Sequence, residues 1–243
     1  MSRLINLVDP QIFRHWTPRY FHDRLLLIIY EKMHSEYPWL TQQANTLLQS
    51  WLKKTYLGLE WGSGRSTIWF ARRVANLTSV EHDSCWYNNV KTKLQELKIT
   101  NTQLYLFEIT PKCTENQSNP YVAISDSFPN NSLDFVLVDG KFRSECALGV
   151  LQKIKPGGLL IIDNINLFLP SNSCSPNSRT EQAGSSSEKW RLLADFIARW
   201  RCIWTSNGVS DTAIWIKPYF HTGEAASSIN QNSPLQNALP KIF

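Results

Sequence analysis

Closely spaced cysteines are missing from this 243-residue chain: Cys85, Cys113, Cys146, Cys174 and Cys202 stand far apart, and no cysteine and histidine cluster resembles a zinc site. An odd number of scattered thiols also argues against a compact disulfide framework, so a reducing cytoplasm is the expected setting. The amino terminus lacks the apolar core of a signal peptide, and LLLIIY at 25–30 is too short to span a bilayer. No dense arginine or lysine tract accompanies the net charge of +5, which sets nucleic acid aside as the expected partner and leaves acidic small molecules or surfaces open. With 42% apolar and 19% charged residues the chain has the composition of a folded body, and a single α/β domain reaches this length.

What is present centres on YLGLEWGSGRST at 56–67. Tyr56 to Leu59 reads as a buried strand with Glu60 at its carboxyl end, Trp61 to Gly64 as a tight turn, and Arg65 onward as a helix. Gly62 and Gly64 let the backbone take positive φ or approach a ligand without a Cβ in the way, and the amides that open the helix can face a polar group. A strand, a glycine turn and a helix together form the ligand-site pattern of open α/β sheets. The pattern is neither a dinucleotide fingerprint, because Thr67 stands where the third glycine belongs, nor a P-loop, because Arg65 replaces its lysine. Glu60 would also repel a pyrophosphate, whereas a ligand with a cationic amino-acid portion suits it.

Further on, Leu77 to Val80 reads as a second strand ending at Glu81-His82-Asp83, about 20 residues after the turn, where an acidic side chain can accept both hydroxyl hydrogens of a ribose. Cys85 to Leu97 follows as a helix and Gln103 to Glu108 as a strand, and Pro111 to Asn131 as a polar loop with a short helical turn. LDFVLVDG at 133–140 has the apolar run of a central strand ended by Asp139. A helix from about Ser144 to Ile154 leads to Lys155-Pro156-Gly157-Gly158, read as a turn, and then to the strand Leu159 to Ile162 with Asp163-Asn164 at its end. In an open sheet these two strand ends converge on one edge.

The ordered set LEWGSGRST, SVEHD at 79–83, LDFVLVDG and KPGGLLIIDN at 155–164 resembles the class I S-adenosylmethionine-dependent methyltransferases over about residues 50 to 217. The resemblance implies a Rossmann-like α/β fold: a seven-stranded, mostly parallel sheet with an antiparallel last strand and helices on both faces. It implies that S-adenosylmethionine is held by Glu60, Gly62, Ser63, Gly64 and Asp139 around the first turn, with Glu81 on the ribose and His82 near the adenine. A local capping or packing role for His82 stays open.

Asp139, Asp163 and Asn164 also resemble the metal ligands of catechol and caffeoyl-CoA O-methyltransferases, which implies an optional Mg²⁺ or other oxygen-loving divalent ion and methylation of a small molecule at oxygen. The alternative is that Asp139 orders the cofactor loop while Asp163-Asn164 caps the next segment. Those enzymes place a catalytic lysine three residues past the aspartate, and here Phe142 takes that place between Lys141 and Arg143. Lys141 can act as a base only if burial lowers its pKa. Arg143 can hold an acidic substrate or a backbone carbonyl, or face solvent. Asp139, Asp163 and Lys141 are thus the expected catalytic residues.

Residues 1–54 read as a helical N-terminal extension, with one or two turns of amphipathic helix in 20–34 and a second helix capped by Thr41 that turns Leu47, Leu48, Trp51 and Leu52 inward. It covers the sheet or forms a lid, to which His15, Trp16, Tyr20 and His22 can contribute. Residues 55–218 form the methyltransferase-like domain. Within it, 166–188 reads as a substrate loop or mobile cover, Trp190 to Trp200 as a helix, and 204–218 as a hairpin turning at Asn207-Gly208. Residues 219–243 read as a flexible tail. A small-molecule acceptor is the expected partner, with a homo-oligomer left open. An NAD-dependent oxidoreductase and a non-catalytic nucleoside-binding or scaffold protein are the competing readings.

Overall fold

The structure is a computed structural model that describes residues 17–109 and 119–219. The expectations for His15, Trp16 and the tail beyond Tyr219 lie outside the described residues. Seven strands form one sheet: β1 Leu57–Trp61, β2 Asn76–Glu81, β3 Thr102–Leu106, β4 Leu133–Val138, β5 Ile154–Asp163, β6 Arg201–Ser206 and β7 Asp211–Ile216. Their spatial order is β3-β2-β1-β4-β5-β7-β6, with β7 antiparallel to both neighbours and the other strands parallel to one another.

Alternation along the central strands fills a core on each face. Val136, Val138, Leu160 and Ile162 pack on one side with Cys146, Ala147, Val150, Leu193 and Ile197, from helices α6 (Arg143–Val150) and α7 (Glu188–Ile197). Phe135, Leu137 and Ile161 pack on the other with Ala44 and Leu48 of α2 (Gln42–Trp51) and Trp69 and Phe70 of α3 (Arg65–Ala71). The chain order reverses between β1 and β4, so their carboxyl ends open a crevice where ligands of such sheets bind.

The second helix of the extension is built as the sequence implies. Thr41 caps α2, Leu48 is buried, and Leu47, Trp51 and Leu52 pack against the same core. Thr41 also binds the far end of the chain, its hydroxyl lying 2.5 Å from that of Thr205 and its amide donating to Thr212 Oγ1 at 3.1 Å. The first helix, α1 (Pro18–Met33), departs from expectation: it is four turns long, and of its residues only Leu27 is buried.

Two boundaries also move. Helix α6 stops at Val150, and Lys155 to Gly158 belong to β5 instead of forming a free turn. The strand continues because Gly157 (φ 78°) donates to Lys217 O at 2.7 Å while Gly158 O accepts from Lys217 N at 2.9 Å, and the register against β4 shifts there. A bulge of this kind absorbs a proline, which has no amide hydrogen for the ladder. Among the described residues no helix is long and apolar enough to cross a membrane.

Candidate active site

The crevice at the carboxyl ends of β1, β2 and β4 is a cleft of about 530 Å³. Its floor is the predicted glycine turn. Gly62 adopts φ 93°, and a Cβ there would come within 2.9 Å of the Asp139 carbonyl carbon and the Gly140 amide, so glycine is required by both conformation and contact. Gly140 has the matching constraint, since a Cβ would collide with the Tyr121 hydroxyl. The two loops therefore meet backbone to backbone.

Of the expected cofactor residues, Gly62, Ser63, Gly64, Glu81, His82 and Asp139 all line this cleft. Glu81 organises it. Its Oε2 accepts from Ser63 N at 3.0 Å and Ser63 Oγ at 2.8 Å, and its Oε1 accepts from the amides of His82 at 2.8 Å and Asp83 at 3.0 Å. His82 Nδ1 lies 2.9 Å from the same Oε1, and its ring meets Tyr121 edge-on.

Glu60 is not in the cleft wall. It is fully buried beneath the turn, where its Oε1 accepts from the hydroxyls of Thr67 and Ser79, the latter at 2.6 Å. Thr67 Oγ1 in turn accepts from Gly64 N at 2.9 Å. The residue that breaks the dinucleotide fingerprint thus ties the turn to the carboxylate below it. Burial pushes the Glu60 pKa up to about 7 against these hydrogen bonds, and its Oε2 has no partner among the described residues.

Three cleft residues escaped sequence reading. Trp39, in the link between α1 and α2, and Trp86, on α4 (Ser84–Glu96), line the cleft with ring centres 6.3 Å apart. Trp86 Nε1 donates to Ser63 O at 2.5 Å. The Arg65 guanidinium lies 5.0 Å from the Trp39 ring centre, makes no ion pair among the described residues, and leaves buried Nη1 without a partner. A basic residue directly after the second turn glycine was the available signal for Arg65. Nothing local marks either tryptophan. The extension does reach the cleft, through Pro38, Trp39 and Leu40; Tyr20 and His22 sit on α1 and are not among the lining residues.

The expected metal ligands come together, but around a side chain of the protein. Arg143, at the start of α6, uses all five of its N–H groups within this corner. Nε donates to Gly140 O at 3.0 Å, and Nη2 donates to Asp139 O at 2.9 Å and Asp139 Oδ1 at 2.8 Å. Nη1 donates to Asp163 O and, at 3.2 Å, to Asn164 Oδ1. Asp163 itself is turned away: it is 4% exposed, lines neither this cleft nor the neighbouring one, and accepts from Thr212 Oγ1 at 2.6 Å. Burial, together with the charge of Asp139, pushes its pKa up to about 8.

A divalent ion needs anionic oxygens with free lone pairs. Here one carboxylate is paired with a guanidinium and the other is buried against Thr212, so these residues do not present a set of free anionic oxygens to a divalent ion. Among the described residues no group of three or more histidine, cysteine, aspartate or glutamate side chains is placed to hold one. Asp139 remains available to the cleft, with 31% of its side chain exposed. Burial and the nearby Glu81 charge raise its pKa to about 6 against the pull of Arg143, which leaves it ionised at neutral pH.

A second cleft of about 360 Å³ adjoins the first along Gly140, Lys141 and Arg143. Phe142, Phe168 and Trp190 contribute to its walls, the last two stacked at 4.5 Å with planes 9° apart. Phe168 belongs to the 166–188 segment, which is tied down: Ser173 and Ser175 donate to the buried Asp211 at 2.9 and 2.6 Å, and Asn166 donates to Pro176 O at 3.1 Å. Lys141 borders both clefts. Its side chain is exposed, so the burial on which a base role depends is absent.

No family model and no curated protein matches the chain. Solved structures do. A protein from Corynebacterium glutamicum is 12% identical and aligns over 87% of this chain and 96% of its own, with a TM-score of 0.53. A caffeoyl-CoA O-methyltransferase candidate from Staphylococcus aureus is 14% identical, aligning over 85% of this chain and 95% of its own at a TM-score of 0.52. A methyltransferase-like protein from Silicibacter pomeroyi is 22% identical over 78% of this chain and 94% of its own, at 0.50. Together with the strand order, these likenesses establish the class I S-adenosylmethionine-dependent methyltransferase fold.

Proposed function

We propose that the protein is an S-adenosylmethionine-dependent methyltransferase acting on a small molecule at oxygen. The observation that carries this reading is the meeting of the Gly62 turn with Glu81 and Asp139 in one cleft at the reversal of strand order. The residues present fit the cofactor: Glu81 offers acceptors for a ribose diol once Ser63 Oγ turns aside, and Arg65 has an unpartnered N–H for a carboxylate. Trp39 and Trp86 offer flat apolar faces, and the cofactor, when bound, supplies an electrophilic methyl carbon on a cationic sulfur.

The chain's own task is then to align the acceptor and keep water out. The acceptor occupies the second cleft, with its oxygen near the shared border. Asp139, held by Arg143 on one oxygen, accepts a hydrogen bond from the acceptor hydroxyl through the other. Lys141 stabilises negative charge that develops there. Arg143 has no donor left to give and acts as a strut.

Equilibrium titration with S-adenosylmethionine and with NAD tests the reading, followed by transfer of labelled methyl from the cofactor to small molecules of a cell extract. Binding of the first nucleotide and not the second is expected, with label appearing in a small product. Saturable NAD binding alone, or a cofactor-bound protein that labels nothing, would count against it.

A further inference from the structure

The outward side of α1 carries an apolar patch interrupted by His22 and Lys32. Leu25, Leu26, Ile28, Ile29 and Met33 are 57%, 48%, 38%, 45% and 75% exposed, whereas the side toward the body carries Leu27, Asp23 against the Gly208 turn, and Tyr30 stacked on His34. An ordinary surface helix has the reverse arrangement, with its apolar stripe inward. Leu25 and Ile28 are spaced as successive seam positions of paired helices, and Arg24 and Glu31, seven residues apart, run along one edge of that seam. Neither makes an ion pair with any described residue.

These charges select the occupant. An anionic membrane surface would favour an excess of cations around the stripe, but Asp23 and Glu31 are interspersed with Arg19, Arg24 and Lys32. In a two-fold pair, residue i meets j and j meets i. An antiparallel pairing of α1 with itself, with the axis between Leu27 and Ile28, sets Arg24 of each copy against Glu31 of the other. We propose that the protein forms a reversible two-fold dimer through the outward face of α1, with the two helices antiparallel. A helix of 16 residues is about 24 Å long. Such a pair is small beside the roughly 1,600 Å² of a standard stable interface, so a weak, reversible dimer is expected.

Sedimentation velocity of the full chain over a concentration series, roughly 1 to 200 µM to bracket a weak equilibrium, is the test. Wild type is expected to shift from monomer to dimer, and Leu25→Glu/Ile29→Glu to stay monomeric. Arg24→Glu is expected to weaken the dimer about tenfold, since it turns two attractive contacts into repulsive ones. The exchange Arg24→Glu/Glu31→Arg is expected to restore it. Because all four positions are solvent-facing or half-buried on α1, circular dichroism and S-adenosylmethionine binding should match wild type. A wild type that stays monomeric throughout, or binds phosphatidylserine vesicles only as a monomer, would overturn the proposal. So would a dimer that survives Leu25→Glu/Ile29→Glu, or a charge exchange that fails to restore affinity.

Discussion

Arg143 holds Asp139 through a single nitrogen, Nη2 donating to the backbone oxygen at 2.9 Å and to Oδ1 at 2.8 Å. The same guanidinium reaches across to Asp163 O and Asn164 Oδ1 at the end of the neighbouring strand. A planar fork with five donors is suited to this task in a way an ammonium is not.

Arg143→Met is therefore expected to lower the unfolding free energy by about 3 kcal/mol, because it leaves a partly buried carboxylate unpaired. Arg143→Lys should recover little of this. Denaturant unfolding measures both. Prolonged chelation of the wild type should leave its unfolding midpoint and any methyl transfer unchanged.

Asp163 makes stability depend on pH with a definite sign. Its folded pKa of about 8 lies above its ordinary 3.8, so the folded state binds the proton more tightly. The stabilisation is complete below the unfolded value and is lost as pH rises through about 8. Glu60, raised from 4.5 to about 7, acts in the same direction over a lower window. Thermal unfolding midpoints should accordingly fall between pH 5 and pH 9. Asp163→Asn, which keeps an oxygen for Thr212, should flatten that fall and exceed wild type at pH 9 by about 1 kcal/mol or more.

Glu81→Gln should weaken S-adenosylmethionine binding at least about tenfold in calorimetry, since an amide cannot accept on both ends and charge-assisted hydrogen bonds contribute about 1.5–3 kcal/mol. The change should appear in cofactor affinity with the sheet retained by circular dichroism. Equal affinity for wild type and variant would remove Glu81 from the site.

Gly62→Ala places a methyl group within 2.9 Å of the β4 loop at a φ of 93°. Alanine in a compatible glycine position stabilises by up to about 1 kcal/mol, whereas here it should destabilise by more than that amount. Gly184 also has positive φ, but a Cβ there meets nothing within 4 Å, so Gly184→Ala is the control for conformation without collision. Comparing the two unfolding midpoints isolates the contact.

Phe168→Ala removes one half of the stacked pair in the second cleft. Once an acceptor is known, the variant should raise its KM about tenfold or more, consistent with loss of a buried aromatic face, while S-adenosylmethionine affinity stays at the wild-type value. A loss confined to cofactor binding would place the acceptor elsewhere.

The sheet was legible because its central strands are continuous apolar runs that stop at acidic residues, and periodicity plus strand-end chemistry locate those without tertiary knowledge. Gly62, Ser63, Gly64, Glu81, His82 and Asp139 reach the cleft because each sits at such a stop or within four residues after it. Asp163 ends a strand and Glu60 stands one residue before an end, yet neither lines the cleft. Side chains alternate across a strand, so a terminal residue can face under the loop as readily as into the crevice. The Lys155-Pro156-Gly157-Gly158 stretch looks like a turn until Lys217 pairs with it from 60 residues away. Trp39 and Trp86 were not legible as site residues because their placement in the cleft depends on where two separate helices are docked. Arg143 admitted several readings, of which a grip on backbone carbonyls is the one realised.

The clasp between Thr41 and Thr205 spans 164 positions of sequence. During synthesis, Leu40, Ala44 and Leu48 leave the ribosome well before the hairpin that fastens their helix exists, and they lack part of their final cover for most of translation. The tie from Thr41 to Thr205 and Thr212 can form only once the last two strands have been made.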